Sequence, residues 1–407
     1  MVTVLPLLAA LPPVFDLTQA AAVGLSRHVL PRAVRDGVVV RIAGGLFAAS
    51  ERWSAADRRE RHLLQCAAAA RQRPWATISH HSAACRHGLP LPRHLPPWVA
   101  MSTGRARTTA NPGGLVRLEP GALPAGHVSQ LHGIRLTTPA RTVIDCLRCL
   151  GLADGVAMAD AALRAGMTTG DELVGMRRDQ RRWPNITQAD LGLTLLDPAR
   201  ENWLESTAFV RLWARGIPLP ESQVSVFTVN GTFVGRLDAL WRARALALEI
   251  DGRGKYLGEF DDKPVSGEEA ARAVLAEKFR EDRVRGTGLT VVRADSAEIE
   301  HDIDVVVVRI AEAWEAAQPA RFRGHLRSHA SARITPDAPG PPPPTAFPAH
   351  LLRWTPLRGG LRTSGCSAKR NKWGSAGVGW GGSGGGAAQG RGRLRPGATP
   401  RPRGRSR

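Results

Sequence analysis

Cysteine is scarce, 5 in 407 residues, and Cys66, Cys85 and Cys366 stand isolated. Thiols so scattered exclude a disulfide scaffold and fit a reducing cytoplasm. The pair in CLRC, Cys146 and Cys149, has no second CxxC or HxxxH at zinc spacing. With the nearby His80, His81 and His87 it makes a poor structural zinc site. Long hydrophobic runs are missing as well. The opening VTVLPLLAALPPV is too short to span a bilayer, carries prolines and lacks the basic region of an export signal, so it is expected to pack as a first helix. GRGKY, from Gly252, lacks P-loop spacing.

Charge is thin where it first looks abundant. The net charge is +20, yet from Arg321 to the end there are 17 Lys and Arg against the single Asp337, so the tail holds +16 of it and the rest +4. That tail, with PGPPPP, GGSGGG and RPRGRSR, cannot bury a core and is expected to be disordered. It either adds salt-sensitive, sequence-independent nucleic-acid binding or reflects a GC-rich gene read past its end or in a shifted frame. The 43% hydrophobic content is ample for the cores of two or three domains.

The most informative stretch that is present is GRLDALWRARALALEIDGRGKY, Gly235 to Tyr256. Two apolar runs each spend a position on a carboxylate. In the second, a strand pleat sends Leu246, Leu248 and Ile250 to one face and Ala245, Ala247, Glu249 and Asp251 to the other. Asp238, about ten residues upstream, suits an antiparallel neighbour, which sets its carboxylate beside Glu249. Like charges that close resist ionisation unless a cation such as Mg2+ lies between them, and the Ile250 carbonyl and waters could complete the shell. Alternatively the acids face solvent, or pair with Arg236, Arg242 and Arg244.

Upstream, ENWLESTAFVRLWARG places Glu205, Ala208, Phe209 and Leu212 on one helical stripe. A carboxylate on an apolar face needs a partner or a use, unless it merely favours the helix N-terminus.

The series is then a helix with Glu205, a strand with Asp238, a strand with Glu249 and Asp251, the helix EEAARAVLAEKFREDRVRGTG and the strand LTVVRAD. It resembles the PD-(D/E)xK nuclease superfamily, and most closely its very-short-patch-repair-like domain, over roughly residues 201–310. The resemblance implies Asp238, Glu249 and Asp251 as metal ligands, with Asp251 an added one, Glu205 as an outer carboxylate, and Lys255 or Lys278 beside the scissile phosphate. Mg2+ is the implied cofactor. The superfamily has a Lys two positions after its Glu, where this chain has Asp251. A carboxylate cannot steady a phosphate as an ammonium does, and Lys255 is either its displaced substitute or an ordinary exposed lysine.

The first fifty residues carry a different pattern. FDLTQAAAVGLSRHVLPRAVRDG predicts a helix from Thr18 to Val23, a turn at Gly24, a second helix capped by Ser26 and a stop at Asp36-Gly37. VVVRIAGGLFAAS adds a hairpin around Gly44-Gly45. Arg27, His28, Arg32 and Arg35 are expected to face DNA from the second helix, and Arg41 from the hairpin. Pro31 conflicts with a helix already begun at Ser26. Two small amphipathic helices with scattered Arg are also ordinary packing units. The segment resembles the winged N-terminal domain of AbiEi-type antitoxins of type IV toxin-antitoxin systems. ISHHSAACRHGLPLP and TTPARTVIDCLRCL resemble the segments that follow it there. Between Arg141 and Asp145, an i, i+4 pair is expected to stabilise its helix by a few tenths of a kcal/mol.

The expected fold class is a multidomain α+β and α/β chain. Its parts are a winged helix-turn-helix (1–50), an AbiEi-like middle domain (51–195), a restriction-endonuclease-like core (196–318) and a disordered tail (319–407). Two functions fit. The first is a cytoplasmic regulator that binds double-stranded DNA, carries a nuclease-fold domain and controls a nucleotidyltransferase-like toxin indirectly, without a membrane partner. The second is a metal-dependent endonuclease targeted by the winged domain. The front two-thirds and the displaced lysine favour the first.

Overall fold

Three β-sheets organise the described residues. The computed structural model describes residues 5–92, 95–104, 114–251, 279–280 and 282–328. Lys255 and Lys278 lie outside them, as do residues 329–407 of the expected tail. All described residues fall in one unit, Met1–Trp354, of mixed α and β structure. None of their helices is long and apolar enough to cross a membrane.

The N-terminal part runs α1 (Leu5–Ala9), β1 (Phe15–Asp16), α2 (Leu17–Ala22), α3 (Val29–Arg35), β2 (Val39–Ala43) and β3 (Leu46–Ala49), with sheet order β1-β3-β2. Asp16 and Gln19 close a reciprocal capping box at the start of α2. α3 begins two residues later than the sequence suggested, with His28 rather than Ser26 at the cap position. The Ser26 hydroxyl accepts from the His28 and Val29 N–H groups at 3.4 Å each, in the turn rather than on the helix. Pro31 therefore sits in the first turn, where an N–H would have no intrahelical partner, and the conflict disappears. As expected, the opening segment packs beneath: Leu8 and Leu11 join Phe15, Leu30, Ala33 and Phe47 in one core.

The middle part follows through α4 (Ser50–Ala55), α5 (Arg58–Gln72), β4 (Thr77–Ile78), α6 (His80–Arg86), β5 (Val99–Ser102), β6 (Val116–Glu119), β7 (Val128–Leu131) and β8 (Ile134–Thr137). Its sheet has the order β6-β5-β4-β8-β7. Four helices come next: α7 (Pro139–Cys149), α8 (Leu152–Arg164), α9 (Gly170–Asp179) and α10 (Ile186–Thr194). α7 is buried almost throughout, charges included. Arg141, 1% exposed, bonds Asp145, 0% exposed, through Nε at 2.8 Å, and Arg148 reaches the other Asp145 oxygen at 2.9 Å. Both guanidiniums lie over the Trp183 ring, 4.4 and 4.9 Å from its centre. The i, i+4 pair expected to be worth a few tenths of a kcal/mol is thus part of a core ion cluster. Its roof is fixed by Gly121, at φ +144°, where a Cβ would fall 2.4 Å from the Trp183 ring.

The last part contains α11 (Trp203–Trp213), β9 (Glu221–Phe227), β10 (Phe233–Trp241), β11 (Leu246–Asp251), β12 (Thr290–Asp295), α12 (Ser296–His301), α13 (Ile303–Ala316) and β13 (His325–Ser328). The sheet order is β12-β11-β10-β9-β13, parallel only between β11 and β12. The pleat of β11 is as read from the sequence. Leu246, Leu248 and Ile250 enter a core with α11 and α13, while Ala245 and Ala247 enter the core on the other face. The VVVVRI run lies in α13, with Val306, Val307 and Ile310 buried.

α11 serves two cores at once. Val210 packs with the helices α7 to α10, whereas Ala208, Phe209 and Leu212 pack on the sheet. Asp160 of α8, fully buried, accepts from Arg200 at 3.0 Å, Ser206 of α11 at 2.8 Å and the Asp197 N–H at 2.7 Å. Burial pushes its carboxyl up to about 6. Buried polar bonds therefore cross the expected boundary at residue 195/196.

The expected tail start at 319 is too early. Residues 325–328 form β13 on the outer side of β9, and Phe322 and Leu326 pack on the core beneath. Gly288, at φ +89°, allows the close approach of this segment, since a Cβ there would lie 2.3 Å from the Arg321 carbonyl oxygen. Chains ending at Ala320 and at Ser328 differ only by this segment. The shorter is expected to melt several degrees lower in a thermal scan, and equal melting temperatures would mean that β13 contributes nothing.

Candidate functional site

Asp238 and Glu249 come together because β10 and β11 pair antiparallel, with Ala239 opposite Leu248. The ladder stops there, one rung short of the two acids. Leu237 and Leu240 point into one core while Ala239 and Trp241 point into the other, so the alternation slips at Asp238. On β9 the matching position is Gln223, which adopts φ +54°. The β10–β11 ladder ends before Ile250, whose N–H donates to the Asp238 carboxylate at 2.8 Å.

Glu205 joins them from α11, three residues after its cap, Asn202. Its oxygens accept from the Glu201 N–H at 2.8 Å, from Asn202 Nδ2 at 2.5 Å and from Gln223 Nε2 at 3.0 Å. Burial, and then the nearby Asp238 charge, push its carboxyl up to about 7. Both sequence readings of Glu205 therefore hold in part: it belongs to the first turn of its helix, and it stands beside the other acids.

Glu249, 6% exposed, is met by Arg280. Nη2 lies 3.0 Å from Oε2 and Nη1 lies 3.4 Å from Oε1, while Nη1 also donates to the Arg236 carbonyl at 3.1 Å. Asp251 pairs with Arg293 at 3.5 Å, and Arg236 with Glu201 at 2.6 Å. The resemblance implied a lysine, Lys255 or Lys278, and not Arg280. The available signal was the need of a buried Glu249 for a counter-charge. Gln223 was missed too, and only its left-handed backbone marks it.

The donor set as arranged does not fit a resident divalent cation. Both Glu249 oxygens face Arg280, an Asp238 oxygen is taken by the Ile250 N–H, and Glu205 accepts three hydrogens. Among the described residues no group of three His, Cys, Asp or Glu gathers around a metal position.

The second candidate surface lies on the helical pair at the N-terminus. Arg32 and Arg35 are exposed on α3, three residues apart, while Leu30 and Ala33 turn inward. Arg27 and His28 are exposed as well, but in the turn before α3 rather than on it. Arg41 is exposed on β2 of the following hairpin. In sequence order these exposed cations lie in the turn, on α3 and on the hairpin.

The histidines of the middle part point apart. His80 Nδ1 meets Ser79 Oγ at 2.9 Å, His81 Nε2 donates to the Trp98 carbonyl at 2.9 Å, and His87 Nε2 to the Thr137 carbonyl at 2.8 Å. They share no metal position, and Cys146 is buried while Cys149 is exposed.

No family model matches the chain. Two curated relatives are similar to it, the uncharacterized proteins MT2308 and Rv2248 of Mycobacterium tuberculosis strains CDC 1551 / Oshkosh and ATCC 25618 / H37Rv. Each is 25% identical over 193 residues, 47% of this chain. The match covers 66% of each relative's own length, slightly less than two thirds.

Proposed function

We propose that the chain is a cytoplasmic DNA-binding regulator of AbiEi antitoxin type, with a winged helix-turn-helix at its N-terminus and a nuclease-like domain that does not cut. The observation that carries this reading is the α2–turn–α3 pair followed by the β2–β3 hairpin, with Arg32, Arg35 and Arg41 exposed. A helix of this kind enters the major groove with its outer face, and flanking cations in the turn and hairpin take backbone phosphates. The regulated gene would encode a nucleotidyltransferase-like toxin, silenced through its promoter.

The test is a footprint of the full chain on its own upstream DNA. Arg32→Ala with Arg35→Ala is expected to weaken the protected site at least about tenfold, since a good bidentate pairing with a base is worth on the order of 1–3 kcal/mol. The log-log salt slope should fall by roughly 0.9 for each phosphate that is no longer neutralised. Arg242→Ala, a control engaged with Glu221 on the sheet, should change neither. Equal losses in both variants would refute the assignment of α3.

A second reading, a metal-dependent endonuclease, draws on the neighbouring carboxylates of Asp238 and Glu249. It requires Arg280 to leave Glu249 first.

A further inference from the structure

The helix-strand series of the last part brings acids together, and Glu249 is met there by the guanidinium of Arg280. We infer that Arg280 is a built-in counter-charge on Glu249 and thereby closes the Asp238–Glu249 pair to divalent metal. Glu249 is nearly enclosed, and a buried carboxylate is costly without a counter-charge. Arg280 meets it with two N–H groups, one on each oxygen, and is anchored by a further bond to the Arg236 carbonyl. Such a two-point contact uses the planar fork of arginine. Mg2+ would need the same oxygen lone pairs at roughly 2.0–2.1 Å, in near-octahedral geometry. A planar guanidinium and a compact, strongly hydrated ion cannot share them. Asp251, the remaining acid of the strand, is turned to Arg293. Metal exclusion thus rests on the chain's own Arg280 and Glu249.

The inference stands on the geometry of the sheet, apart from the DNA-binding reading, and its test uses the full chain and Mn2+ alone. Titration calorimetry of the wild type at millimolar Mn2+ is expected to show no saturable site, and Mn2+ should leave the melting temperature unchanged. Arg280→Gln removes the charge, and the variant is expected to gain a saturable site at least about tenfold tighter than any wild-type binding. Its melting temperature should rise with Mn2+ as mass action requires. Adding Glu249→Gln to that variant should abolish both effects. Saturable wild-type binding that disappears in Glu249→Gln would overturn the inference, and so would a folded Arg280→Gln protein that takes up no Mn2+. Should Arg280→Gln fail to fold, the wild type and Glu249→Gln decide between the same outcomes. Either result leaves the Arg32 and Arg35 footprint unaffected.

Discussion

Replacing Arg141 by methionine should cost about 3–5 kcal/mol of stability, the range for breaking a buried ion pair on one side. Asp145 is completely enclosed. Burial alone would raise its pKa, but His80, Arg141 and Arg148 outweigh burial and hold it below its usual value. Removing Arg141 strips one of those charges, empties the space over the Trp183 ring and leaves the Ala122 carbonyl and His127 Nδ1 without this donor. Methionine fills part of the volume and none of the hydrogen bonds. Denaturant unfolding of the two proteins measures the difference. A loss below about 1 kcal/mol would place the pair in solvent, where ion pairs count for little.

Acid should weaken the wild type relative to His81→Gln by about 1.4 kcal/mol for every pH unit between 6.5 and 4. Burial is the main cause that lowers His81 to about 3 and His62, which stacks near it, to about 4. A folded-state pKa below the unfolded one means that the unfolded chain takes up protons first. Stability is therefore unaffected above pH 6.5 and falls as pH drops toward the folded value. Glutamine keeps a donor for the Trp98 carbonyl and does not titrate. Asp160 and Glu205, both raised, act in the opposite direction, their contribution being present at low pH and lost as pH rises through about 6 and about 7. They are common to both proteins and cancel in the comparison. Parallel stability curves across this range would show that His81 is accessible to water.

The elements governed by local chemistry were legible in the sequence. Two-residue alternation in the LALEID run told which side chains of β11 enter which core, and the helical stripe placed Glu205 inward. The N-terminal pair was legible in outline, while its boundary moved because Ser26 caps the turn and Pro31 tolerates only a first-turn position. Arg141 was misjudged for a different reason. An arginine four residues from an aspartate looks the same on an exposed helix and in a core, and Trp183, Ala122 and His127, which decide the matter, are remote in sequence. Arg280 was invisible in the same way, as its partner Glu249 lies 31 residues upstream.

The strand β13 has a meaning beyond its modest share of stability. Val224 to Phe227 of β9 pair with it through backbone bonds, and with β13 gone that row of N–H and C=O groups would become an open sheet edge. An open edge accepts a strand from any neighbouring chain. A copy shortened at Ala320 would therefore show its defect as concentration-dependent association, with Val224 and Val226 in the recruiting strand, even under conditions where each copy still folds.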